Sequence, residues 1–164
     1  MRGIVAFVLL VGFAVTSAGG ATAAAVEPCR DLKLAQARAV LGQSAALAQK
    51  QVLRERVCSV KYGGSAGVTV RSESAKDFDW TVAGLKDAPE YVKQLKDVSL
   101  GAKGYSYDRY AIVNGKSTFT SRVLFFRARA RMYTVEVPAR RLLPAAKHLT
   151  LARHVVRNAP AGGG

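Results

Sequence analysis

The chain has 164 residues, with 25 lysines and arginines against 11 aspartates and glutamates, a formal net charge of +14, and two cysteines. That length is one domain's worth by the usual size prior and can bury a core of its own, which excludes a mini-scaffold held together only by disulfides. The charge favours anionic partners and salt-sensitive association, although an arginine-rich, alanine-rich composition can also produce it incidentally.

Residues 1–25 read as a secretion signal. Arg2 supplies the positive start, positions 3–15 are an almost unbroken apolar run, and small residues continue to Ala25, with Ala21-Thr22-Ala23 and Ala23-Ala24-Ala25 fitting the cleavage pattern. The run is shorter than the ~20 residues of a membrane-spanning helix, so no transmembrane segment is expected after cleavage, and the mature chain is expected to be secreted or periplasmic. Residues 26–158 then form a single domain, and 159–164 a flexible tail. Cys29 and Cys58 are the whole cysteine inventory. In an exported chain an even pair reads as a disulfide, and the loop it closes is worth roughly 3–4 kcal/mol on the chain-entropy relation.

The elements follow in order. Residues 31–41 predict a helix on the stripe Leu34, Ala37, Leu41, ended by Gly42. Residues 43–56, rich in Ala, Gln and Leu, predict a helical turn. Residues 56–62 alternate with Cys58, Val60 and Tyr62 inward, and 67–72 alternate with Val68 and Val70 inward, making a hairpin across Gly63-Gly64-Ser65. Cys58 on the inward face can reach back to Cys29, tying the first helix to this strand.

Asp87-Ala88-Pro89-Glu90 carries the signature of a helix start, with Ala88, Val92 and Leu95 as a stripe ending before Gly101. Residues 104–113 read as a tyrosine-rich strand (Tyr105, Tyr107, Tyr110), followed by the hairpin dipeptide Asn114-Gly115. Strands are predicted over 117–126 and 132–137, and the run Val123 to Phe126 predicts a central strand buried on both faces. The last helix is predicted over 142–156, with Leu142, Ala145, Ala146, Leu149, Ala152 and Val156 inward and Arg140, Lys147 and His154 opposite. The sum is an α+β domain: an antiparallel sheet of about five strands packed by two or three helices, with one disulfide.

Gly63-Gly64-Ser65-Ala66-Gly67 matches a nucleophile-elbow string, but that chemistry needs a strand before it and a helix after. Here a strand follows, so Ser65 reads as a turn residue. His148 and His154 lie about 240° apart on a helix and read as part of a solvated basic face rather than a metal site. Gly101-Ala102-Lys103-Gly104 lacks the ending of a phosphate-binding loop. No catalytic residue, metal or cofactor is expected.

The binding candidates are Arg127, Arg129 and Arg131, which alternate with alanines and in extended backbone would all project to one side, joined by Arg140 and Arg141. Arginine suits bidentate recognition of phosphate or carboxylate. Tyr105, Tyr107 and Tyr110 could stack on sugars or bases, or could line a half-buried sheet face.

Cys29, Leu41-Gly42, Cys58, Leu100-Gly101 and Tyr105 follow the layout of a group of exported actinobacterial domains of unknown function, which this chain resembles. It departs from them in lacking a lipid-attachment motif and in placing Tyr62 where an aromatic residue often follows nearer the cysteine. That group is in turn similar to extracellular sensor domains of mycobacterial kinases. The resemblance implies ligand binding or envelope association and carries over no catalytic residues.

The function expected is a non-catalytic, exported, sensor-like binding domain at the cell envelope. Its partner would be an anionic envelope component or a protein, without specific nucleic-acid recognition. The alternative is a secreted inhibitor or structural envelope protein whose charge is incidental.

Overall fold

A computed structural model describes residues 28–52 and 55–160. The segment expected to be a secretion signal, residues 1–25, and most of the expected tail, residues 161–164, lie outside the described residues. Among the described residues seven strands, all paired antiparallel, form one sheet: β1 (Ala46–Val52), β2 (Glu55–Tyr62), β3 (Ser65–Ser74), β4 (Val92–Ser99), β5 (Lys103–Val113), β6 (Lys116–Ala128) and β7 (Arg131–Pro138). Their order is β1-β2-β3-β7-β6-β5-β4, so β7 joins two meanders by pairing with both β3 and β6. Helices α1 (Leu34–Leu41) and α3 (Ala145–Asn158) cover one face, and α2 (Phe78–Lys86) packs against the other.

The α+β class holds, but the strand count is seven rather than about five. Both extra strands are the sheet's edges. Residues 46–52, expected as a helical turn, form β1, which pairs along the length of β2 from Ala46↔Lys61 to Val52↔Glu55. The backbone bonds offered by β2 outweigh the weak helical preference of Ala, Gln and Leu. The predicted helix after Asp87 is also a strand. The Asp87-to-Glu90 signature instead closes the turn after α2, where the amides of Tyr91 and Val92 both donate to the Ala88 carbonyl.

Strand β4 imitated a helix for a geometric reason. Its half-buried residues recur every third position, Val92, Leu95 and Val98. The register shifts between Lys93 and Lys96, where Gln94 adopts φ 56°. This bulge changes the strand's phase, so Val92 and Leu95 face the α2 side while Val98 faces the α1–α3 side. Helix α2 itself has no counterpart among the expected elements. The amide of Lys76 donates to the Ser74 hydroxyl just before it, at 3.4 Å.

The central run behaves as expected. Leu124 and Phe126 enter the core under α1 and α3, while Val123 and Phe125 enter the core under α2. Phe126 stacks on Tyr133 at 5.5 Å, and Phe125 on Phe78 at 5.0 Å. Both predicted hairpins form; Gly63 and Gly64 take φ 55° and 82°, and Asn114 and Gly115 take φ 50° and 73°. The disulfide joins Cys29 to Cys58 with Cα atoms 4.8 Å apart. It pins the short 3-10 turn Pro28–Asp31, which leads into α1, onto β2.

Two helix faces depart from expectation. Leu34 is exposed, and Ala37 and Val40 are the residues α1 buries. Of the residues expected inward at the last helix, Ala152 is buried and Leu149 and Val156 are half-buried against the core, but Leu142, Ala145 and Ala146 are exposed, and His148, Leu151 and Val155 are buried instead. The cause is phase. Residues 139–141 make a separate 3-10 turn, and Leu142 and Pro144 have ψ 130° and 137°, so the helical count starts at Ala145. Ala159, placed in the tail by sequence, is 2 % exposed and belongs to the core.

Candidate anion-binding face

The arginines singled out by alternation do not stay in line. Strand β6 ends at Ala128, the chain turns at Arg129 (φ 57°), and β7 begins at Arg131. Across this hairpin Ala128 pairs with Arg131 and Arg127 with Met132. Arg127 therefore shares the α2 face with Met132, whereas Arg131 shares the opposite face with Ala128 and Tyr133. The expectation of a common side required extended backbone through all five residues, and the turn removes it. The Nη2 of Arg131 donates to the carbonyl and hydroxyl of Ser72 at 3.2 and 3.1 Å. Arg127 is exposed near Asp79, which the hydrogen bond and charge of Lys103, with Arg127 adding, hold below the usual carboxylate range.

Arg141 is also engaged. Its Nη2 donates to the Gly63 carbonyl at 3.1 Å and to the Ser65 hydroxyl, while Tyr62 donates its hydroxyl to the Arg141 carbonyl at 2.8 Å. Together these contacts clamp the β2–β3 turn. Ser65 opens strand β3, so the glycine string carries no elbow, and its hydroxyl faces a guanidinium rather than a base. Arg140 is exposed beside a shallow recess that it forms with Thr69, Glu136 and Pro138.

A wider basic surface emerges from the packing of distant segments. Helices α1 and α3 lie against each other, joined where Asn158 donates to Gln36 Oε1 at 2.7 Å and to the Asp31 carbonyl at 3.1 Å. The segments building this layer, 28–44 and 139–160, contain eight lysines and arginines and one acid, Asp31. Seven of those cations are exposed: Arg30, Lys33, Arg38, Arg140, Lys147, Arg153 and Arg157.

The single acid is withdrawn from the surface. Asp31 is 1 % exposed and accepts the Tyr133 hydroxyl at 3.0 Å. Burial pushes its carboxyl above the ordinary range, against the Tyr133 hydrogen bond and the charges of Arg131 and Arg30. Burial, together with Asp31, pushes the Tyr133 phenol up as well. By contrast, residues 73–97, which supply α2 and β4, hold six of the chain's eleven acids. The charge is thus segregated, with the α1–α3 layer basic and the α2 side carrying most carboxylates.

Other candidates resolve into packing. Tyr105 and Tyr107 are buried in the α2-side core, and the Tyr107 hydroxyl accepts from Arg109 Nη2 at 3.2 Å. Tyr110 is half-buried, 5.6 Å from Phe119, with the Lys93 ammonium 4.5 Å over its ring. His148, expected on a solvated face, is 2 % exposed, because the α3 phase turns it onto the sheet, where its Nε2 lies 3.0 Å from the Val135 carbonyl. His154 is half-buried, on the same helix.

Two ion pairs tie strands together: Arg109 of β5 reaches across β6 to Glu136 of β7 at 3.0 Å, and Arg122 of β6 pairs with Asp108 of the neighbouring β5 at 2.8 Å. The Ser121 hydroxyl joins the first, donating to Glu136 at 2.7 Å. The signal for them was present as charges inside strand patterns, but their pairing needed the register. Among the described residues no cluster of His, Cys, Asp and Glu could hold a metal ion, and no helix is long and apolar enough to cross a membrane. Comparison of the chain with family models, with curated proteins and with solved structures finds no match.

Proposed function

We propose that the chain is a non-catalytic, sensor-like binding domain of the cell envelope, working outside the cytosol, that docks an anionic polymer or membrane surface through its α1–α3 layer. The observation that carries this reading is the segregation of charge. Seven exposed cations and one buried, hydrogen-bonded carboxylate make a face with no exposed acid of its own, while six acids lie in the segment that builds the opposite side. Incidental basic composition predicts no such sorting. A field of one sign on one face orients the molecule as it approaches a polyanion and speeds the encounter. The disulfide supports a place outside a reducing compartment.

Arg129, also exposed, extends this face, whereas Arg127, set beside Asp79, contributes least. Each exposed contact is weak and screened within a Debye length of about 8 Å at physiological salt, so binding is collective. The test replaces Lys147, Arg153 and Arg157 with serine. The variant should elute from a heparin column at clearly lower salt than wild type and bind phosphatidylglycerol vesicles less, with the melting temperature nearly unmoved. Wild type that fails to bind either matrix, or a triple variant that elutes unchanged, would overturn the reading.

A further inference from the structure

A cleft of about 160 Å³ lies between the β4–β5–β6 end of the sheet and the first turn of α3. Its volume corresponds to about five water molecules at ~30 Å³ each, room for a small molecule and not for a polymer. It therefore calls for an occupant different from the polyanion proposed for the helical layer.

The polar groups on its walls are specific. His148 lines it, and the Nε2 of that ring lies 3.0 Å from the Val135 carbonyl. A carbonyl only accepts, so Nε2 carries the proton and Nδ1 holds a lone pair, which has no partner among the described residues. Burial lowers the imidazole pKa to about 4, which keeps that lone pair available at neutral pH. Arg122 also lines the cleft. Its Nε and Nη2 are taken by Asp108 at 2.8 and 3.3 Å, which locks the guanidinium plane and leaves Nη1 to donate elsewhere. The exposed Lys96 adds a second cation.

The rest of the lining is mixed: Val98, Leu124, Ala145 and Leu149 are apolar, and Ser106 and Asp108, whose carboxylate is already engaged by Arg122, are polar. The rim is strained. Gln94, a non-glycine residue at φ 56°, sits in the β4 bulge where the strand meets the cleft. Such backbone outliers and bulges concentrate at ligand sites, where they re-aim a side chain.

We propose that this cleft binds a short-chain hydroxycarboxylate, its carboxylate held by Arg122 and Lys96, its hydroxyl donating to Nδ1 of His148, and its hydrocarbon resting on Val98, Leu124 and Leu149. The three features answer to three parts of one small molecule, with cations for the anion, an unpartnered acceptor for the hydroxyl and an apolar wall for the carbon chain.

The test is an NMR titration of the whole 15N-labelled chain with 3-hydroxybutyrate, reading the His148 ring nitrogens and the amides of Val98, Leu124 and Leu149. Butyrate, which lacks the hydroxyl, and inorganic phosphate, which lacks the hydrocarbon, are titrated in parallel. A saturable shift of His148 Nδ1 with 3-hydroxybutyrate is expected, with at least tenfold weaker binding of butyrate and phosphate. Lys96→Met, at an exposed position, should weaken 3-hydroxybutyrate about tenfold without changing the melting temperature. The proposal fails if His148 and the three amides do not respond, if butyrate or phosphate binds as well as 3-hydroxybutyrate, or if Lys96→Met binds as wild type does.

Discussion

Replacing His148 with glutamine should flatten the acid side of the stability profile. The imidazole is 2 % exposed. Burial lowers its pKa from 6.5 to about 4, reinforced by the nearby charge of Arg122 and opposed by the Val135 hydrogen bond. Because the folded value lies below the unfolded one, the unfolded chain binds the extra proton between about pH 6.5 and pH 4. The stabilisation is complete above the unfolded value and drains away as pH falls through that window. At 1.36 kcal/mol per pH unit, the displacement is worth roughly 3 kcal/mol.

Asp31 works in the opposite sense, since its folded pKa is raised and its contribution belongs to the protonated form, lost as pH rises through the folded value. The wild-type curve mixes the two effects, so the informative quantity is the difference between wild type and variant. Glutamine keeps an N–H that can reach the Val135 carbonyl and removes the titration. Urea unfolding followed by far-UV circular dichroism, at about pH 7.5 and about pH 4.5, should find the wild type's advantage over His148→Gln shrinking by ~2–3 kcal/mol on acidification. If that gap is the same at both pH values, His148 is not buried as a neutral ring, and the inward phase of α3 is wrong with it.

Two further outcomes test the frame around the site. Thiol titration of the denatured, unreduced protein should find no free thiol, and Cys58→Ser should lower stability by roughly 3–4 kcal/mol, because it releases the turn Pro28–Asp31 from β2; a free thiol, or an unchanged denaturation midpoint, would contradict the staple. Ser65→Ala should cost about 1 kcal/mol through loss of the Arg141 contact and leave any hydrolytic activity of the preparation unchanged; a large loss of hydrolytic rate in a folded variant would return Ser65 to a catalytic role.

Local chemistry was enough to read a good part of this protein. Glycines at Gly63 and Gly64 and the Asn114-Gly115 pair demand left-handed backbone, so the hairpins they close are legible at short range. Four consecutive large apolar residues at Val123 to Phe126 suit a strand covered on both sides, and two cysteines that are the whole cysteine inventory have only each other to pair with. The remainder depended on partners far away in sequence. β1 and β4 are strands because β2 and β5 offer them backbone bonds, and the β4 bulge disguises a strand as a three-residue repeat. The alternation from Arg127 to Arg131 is broken by a turn that only the β6–β7 register reveals. His148 points inward because α3 starts three residues later than its apolar pattern suggests. The basic face exists only once α1 and α3, separated by the whole sheet in sequence, lie side by side over a buried Asp31. Turn geometry and a run of apolar side chains are set by a few adjacent residues, whereas edge pairing, helix phase and the sorting of charge are set by which segments the folded chain brings together.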